Sequence, residues 1–129
     1  MRPADSLGAA SRVASAVHQA SGQVLAERLQ VADNFFTRGL GLMFRRRFEP
    51  GQGLWITGCN GIHMFFMNFP IDAVFLDKQR RVVKTYRRLP RWIGLVPLVW
   101  GADSVLELPA GTVDGLALKK GDEVLITSL

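Results

Sequence analysis

Residues 71–89 read Ile71-Asp72-Ala73-Val74-Phe75-Leu76-Asp77-Lys78-Gln79-Arg80-Arg81-Val82-Val83-Lys84-Thr85-Tyr86-Arg87-Arg88-Leu89. Two runs rich in β-branched, aromatic and aliphatic residues, 71–76 and 82–89, are separated by a few polar residues, the pattern of strands joined by a short turn. Similar runs lie at 54–57, 62–67, 104–108 and 123–127, and a less regular one with Val24, Leu29 and Val31 lies at 23–31. Turn residues separate these runs at short intervals. That spacing predicts a mainly β fold, an antiparallel sandwich or barrel, rather than a parallel α/β sheet.

The same pattern leaves room for two or three short helices. Asn34 is placed to cap a helical stretch containing Phe35, Phe36, Leu40 and Met43, and residues 112–118 can form one helical turn. Asn60-Gly61 stands between two apolar runs, a strong signal for a type I′ hairpin that would set Cys59 opposite Ile62. Residues 1–22 read as an appendage, disordered or helical. A helix there would be capped by Asp5 or Ser6, with Leu7, Ala10, Ala14 and Val17 on one face and His18 toward solvent. Residues 23–129 then form one β domain.

A chain of 129 residues can bury roughly two-thirds of its unfolded surface, enough for a core without staples. Hydrophobic residues at 48% and charged residues at 21% place it among ordinary globular proteins and exclude a disordered chain. Cys59 is the only cysteine, which excludes an internal disulfide framework. Polar and small residues interrupt every apolar run near the N-terminus, so no signal peptide is recognised and a cytoplasmic location is expected. The apolar stretch 92–102 is too short to span a bilayer and is broken by Pro97.

Several phrases occur together in order. Arg38, Gly41, Leu42, Met43 and Arg45 make Arg-x-x-Gly-Leu-Met-x-Arg. Met67, Pro70, Ile71, Asp72, Phe75 and Asp77 make Met-x-x-Pro-Ile-Asp-x-x-Phe-x-Asp. Val105, Leu106, Glu107, Ala110 and Gly111 follow, then Gly121 and Asp122. With these phrases in register, residues 24–126 resemble the domain-of-unknown-function family 192. Cys59, Ile62 and His63 match a branch with Cys-x-x-Ile-His before the methionine. The resemblance implies a compact, mostly antiparallel β-sandwich or barrel with small helices, and no established reaction.

Chemistry has therefore to be argued from residues. Cys59, His63 and Met67 recur every four positions and carry ligand types that suit copper. On a straight strand such residues stand about 13 Å apart, and across an Asn-Gly turn Cys59 and His63 point to opposite faces. A buried thiol, a hydrogen-bonded imidazole and a core thioether are the expectation, with no metal and no cofactor. Asp72 and Glu107 are carboxylates inside apolar runs, where an unpaired charge is costly. Both can be strand residues facing solvent, as alternation allows for Glu107; the sharper alternative is that they accept hydrogen bonds from Arg38 or from backbone amides at a pocket mouth, with Asp72, His63, Arg38, Glu107, Cys59 and Met67 as the candidate pocket residues.

The net charge of +5 is concentrated. Lys78, Arg80, Arg81, Lys84, Arg87, Arg88 and Arg91 follow one another without an intervening acid, and an apolar loop containing Trp92, Pro97 and Trp100 comes next. Cations along an exposed edge strand also prevent edge-to-edge pairing. Arg80, Arg81, Lys84, Arg87, Arg88, Arg91 and Trp92 are nonetheless the expected surface contacts of a non-catalytic binding module, whose partner is an anionic surface or an acidic protein. An enzyme or metal site around Cys59, His63 and Asp72 is the second reading. Nucleic-acid binding is the third, since Tyr86 is the only aromatic within the stripe.

Overall fold

The computed structural model describes residues 12–33, 42, 45–64 and 67–128. Within them the strands are β1 Arg12–His18, β2 Val24–Ala32, β3 Gln52–Thr57, β4 Ile62–His63, β5 Ile71–Leu76, β6 Val82–Leu89, β7 Leu95–Val96, β8 Ser104–Pro109 and β9 Val124–Ser128. Seven form a sheet in the order β6-β5-β8-β3-β2-β1-β9, and β4 pairs with β7. Every sheet pairing is antiparallel except β2 with β3, which is parallel.

β5 and β8 are buried along their whole length. Side chains alternate across a strand, so a strand covered on both faces needs apolar residues at consecutive positions. Val74, Leu76, Leu106 and Leu108 enter one core with Ala14, Leu29, Val82 and Val124, to which all seven strands of the sheet contribute. Ile71, Ala73, Phe75 and Val105 enter a second core on the other face, with Leu54, Met64, Met67, Val96 and Val99.

The sheet curls until its outer strands meet at one end. Arg81 bridges Glu123, Val82 N–H donates to the Asp122 carbonyl at 2.8 Å, and Val124 N–H donates to the Arg80 carbonyl at 3.0 Å. The architecture is thus mainly β, a curled half-barrel with the first core inside the curl. Asp77 makes the β5–β6 turn, its Oδ1 accepting from the Gln79 and Arg81 amides at 2.9 Å each.

Several expectations are corrected. The described residues contain no helix. Across 112–118 the chain makes successive tight turns, Thr112 to Pro109, Asp114 to Gly111 and Leu116 to Val113. Gly111 and Gly115, at φ of 95° and 73°, interrupt any helical run. The helical stretch expected after Asn34 lies outside the described residues, save for the buried Leu42.

Within the stretch read as an appendage, residues 12–18 form β1, an interior strand between β2 and β9, where a face of small residues packs closely. His18, expected in solvent, is 2% exposed. Its Nε2–H donates to Asp122 Oδ2 at 2.8 Å, and its Nδ1 hydrogen-bonds the Ser21 hydroxyl at 2.8 Å. Asn60-Gly61 is not a two-residue hairpin either, because β4 pairs with β7 and not with β3. Gly61 is required for close approach: a Cβ there would stand 2.5 Å from the Pro97 carbonyl oxygen.

The His18–Asp122 pair joins β1 to the turn that closes the curl. The Lys119 backbone amide and then the His18 side chain hold the Asp122 carboxyl below its ordinary pKa. A carboxyl depressed on folding contributes stability above its unfolded pKa and loses it as pH falls through the folded value. Asp122→Ala should therefore lower the melting temperature at neutral pH. Melts repeated between about pH 7 and about pH 3 should show the gap from the parent narrowing toward acid.

Candidate functional site

Asp72, the second residue of β5, is completely buried. Its Oδ1 accepts from the Arg88 amide at 2.9 Å, and its Oδ2 accepts from the Gly111 and Val113 amides at 3.1 Å each. The sheet makes this possible through an irregularity. Ile71 pairs with Leu89 but Ala73 pairs with Tyr86, so Arg87 and Arg88 together oppose Asp72 in a bulge. Arg88 takes a φ of 53°, which turns its N–H toward the carboxylate, and its guanidinium pairs with Asp114. Both Asp72 oxygens are thus engaged by backbone amides from β6 and from the turn after β8.

Glu107 lies in the middle of β8, between Leu54 of β3 and Ala73 of β5. Alternation with Leu106 and Leu108 puts it on the outer-core face, opposite to Asp72. Burial pushes its carboxyl up to about 7, with the Arg45 guanidinium pulling the other way. Arg45 belongs to the Gly-Leu-Met-x-Arg phrase, and only the tertiary fold brings it near Glu107. Met67 is buried in the outer core.

Cys59 is half-buried, its thiol donating to the Gly61 carbonyl at 2.9 Å. His63 is exposed. Both border a shallow groove with Asn60, Ile62, Leu95 and Pro97. The expectation that Cys59 and His63 face apart rested on the Asn-Gly hairpin, and the β4–β7 pairing puts them along one groove instead. Asp72 and Glu107 are not among the residues lining it, and Arg38 lies outside the described residues. Among the described residues, no group of three or more His, Cys, Asp or Glu side chains is placed to hold a metal ion.

The basic stripe divides by what each side chain does. Arg80 lies over the Trp55 ring at 4.7 Å and donates to the Ile126 carbonyl at 3.2 Å, helping to seal the curl. Arg88 is held by Asp114 and through its amide by Asp72. Lys84 lies over the Tyr86 ring at 5.6 Å. Arg81, Lys84, Arg87 and Arg91 are exposed.

After Arg91 the chain leaves the sheet. Trp92, Ile93, Leu95, Leu98 and Trp100 are 46–84% exposed, while Val96 and Val99 between them are buried in the outer core. Backbone bonds strap the loop to the β4 region: Met64 N–H donates to the Gly94 carbonyl, Trp92 N–H to the Met64 carbonyl, and Val99 N–H to the Asn60 carbonyl. Gly94 lies so close that a Cβ would stand 2.6 Å from Met64 Cγ. The tertiary structure leaves the apolar side chains of this loop exposed, with Arg91 exposed at its start and Arg87 exposed four residues earlier in sequence.

Comparison with known proteins agrees with the fold. The family model DUF192, described as Uncharacterized ACR, matches residues 16–126. A UPF0127 protein of Thermococcus sibiricus is 38% identical over 112 residues, covering 84% of this chain and 71% of the relative. A UPF0127 protein of Pyrococcus abyssi is 37% identical over 103 residues, covering 75% and 84%. Among solved structures, a protein of unknown function from Novosphingobium aromaticivorans aligns with a TM-score of 0.74 at 24% identity, covering 88% of this chain and 83% of that one. A putative transcription regulator from Sinorhizobium meliloti also aligns at 0.74, with 22% identity, covering 92% and 95%. At such identities the two structures speak for the fold alone.

Two outcomes follow from the buried carboxylates. Asp72→Ala leaves three buried N–H groups without their acceptor, and urea unfolding should show a loss of about 3 kcal/mol. Glu107 works in the opposite sense to Asp122. Its folded pKa of about 7 exceeds the unfolded 4.5, so its contribution is greatest below 4.5 and is lost as pH rises through 7. Glu107→Gln imitates the protonated form. It should abolish that slope and exceed the parent above neutrality by up to roughly 3 kcal/mol, measured by urea unfolding across the range.

Proposed function

This chain belongs to the DUF192 family, and from that premise we propose that it is a non-catalytic binding module that docks an anionic partner through loop 91–100 and the cations beside it. The observation that carries the reading is the exposure of five large apolar side chains on one loop that backbone bonds hold in place. A loop of this composition ordinarily folds back onto the core, and contiguous exposed apolar surface marks contact sites. Here Val96 and Val99 anchor the loop while their neighbours stay outside.

Charge supplies the sign of the partner. No Asp or Glu occurs from 78 to 102, whereas seven Lys and Arg do. Of these, Arg81, Lys84, Arg87 and Arg91 are exposed and available for long-range attraction. Asp72, the residue central to the enzymatic alternative, is committed to three backbone amides and has a structural role that accounts for its burial.

The test is retention on a polyanion. Heparin is the probe, and Arg87→Glu with Arg91→Glu is the variant, since neither side chain has the structural ties of Arg80 and Arg88. Lys119→Glu with Lys120→Glu changes net charge equally at a distance in sequence and serves as control. The Arg87/Arg91 variant should elute at markedly lower salt than parent and control, with far-ultraviolet circular dichroism unchanged. Equal elution of the two variants would return the stripe to edge protection.

A further inference from the structure

We infer that the anionic partner is a lipid bilayer surface, entered by loop 91–100 to the depth of the headgroups; the inference rests on the reading of this loop as a contact surface. Three features distinguish a bilayer from an acidic protein. The first is the loop's backbone. Peptide groups must be paired before they leave water, or desolvation opposes entry. Trp92, Ile93, Gly94 and Val99 N–H groups already donate to the carbonyls of Met64, Arg91, Pro90 and Asn60. β7 lies antiparallel to β4 with Val96 opposite Ile62, and Pro97 has no N–H.

The second feature is the side chains. Residues 92–100 read Trp-Ile-Gly-Leu-Val-Pro-Leu-Val-Trp, and the two indoles are their only side-chain hydrogen-bonding groups. Protein interfaces carry a hydrogen bond per roughly 100–200 Å² and a polar rim. A bilayer surface asks for apolar area with indoles at the boundary, which Trp92 and Trp100 supply at the two ends of the loop. The third is charge. Arg91 opens the loop and Arg87 lies four residues before it, with no acid between 78 and 102, the arrangement that adds attraction to anionic headgroups to apolar insertion. The straps to Met64 and Asn60 hold the loop open in advance, so little ordering remains for binding.

The experiment uses the full chain with vesicles of phosphatidylcholine, with and without phosphatidylglycerol. Flotation should recover the protein with the anionic vesicles, and lipids brominated on their acyl chains should quench its tryptophan emission. Trp92→Ala with Trp100→Ala should reduce partitioning about tenfold or more and abolish the quenching. Ile93→Ser with Leu98→Ser provides a second variant with both indoles kept. Its partitioning should fall similarly, so the result does not hang on one pair of substitutions. Vesicle binding without quenching, or binding undiminished in folded variants of both kinds, would overturn insertion. Retention on heparin through Arg87 and Arg91 without vesicle binding would overturn the lipid partner and point to an acidic protein. Failure of the heparin test itself would strike the broader reading of the charged face instead.

Discussion

A carboxylate buried at the beginning of a central strand is the constraint on which the rest of this structure turns. Removing the Asp72 charge from water is costly unless donors replace its hydration, and three backbone amides do so. Those amides come from two segments that the sheet ladder does not otherwise join. Arg88 can turn its N–H inward only through a bulge and a left-handed φ, and Gly111 does so at a φ of 95°. The clamp thus determines where β6 bends and where the chain leaves β8. It also sets the stretch after β6 from which loop 91–100 departs.

The two faces of β5 and β8 then support different tasks. Inside the curl, aliphatic side chains from six of the seven sheet strands pack together with Trp55 of β3, and the seam is closed by Arg80 over Trp55 and by His18 with Asp122. On the outer face, Met64, Met67, Val96 and Val99 cover the middle of the sheet. Glu107 sits beneath that cover with its carboxyl raised to about 7. Asp72 accepts hydrogen bonds from three backbone amides. Glu107 is dominated by desolvation, which favours the proton.

Outer-core packing also explains why apolar residues remain exposed in loop 91–100. Val96 and Val99 occupy the inward positions, and Gly94 is pressed against Met64, so the intervening side chains have only outward directions left. Their exposure is a geometric consequence of a strapped backbone.

The sequence by itself determined the class and several of the strands, while the run expected at 62–67 is a strand only at Ile62–His63 among the described residues. Short runs of β-forming residues bounded by turn residues placed 54–57, 71–76, 82–89, 104–108 and 123–127 within a residue or two of the observed elements, because those patterns report local backbone preference and burial. It also marked Asp72 as a carboxylate inside an apolar run and the apolar loop as unusual. Tertiary structure alone decided who the donors are, since Gly111 and Val113 are about forty positions away from Asp72. It decided that 12–18 is an interior strand, because small residues make a poor helical face yet pack well between β2 and β9. It overruled the Asn60-Gly61 hairpin, where the need for close approach to Pro97 outweighed local turn chemistry. It tied two arginines of the basic stripe to partners, Arg80 to Trp55 and Arg88 to Asp114. Such outcomes depend on contacts between distant segments, which local pattern does not encode.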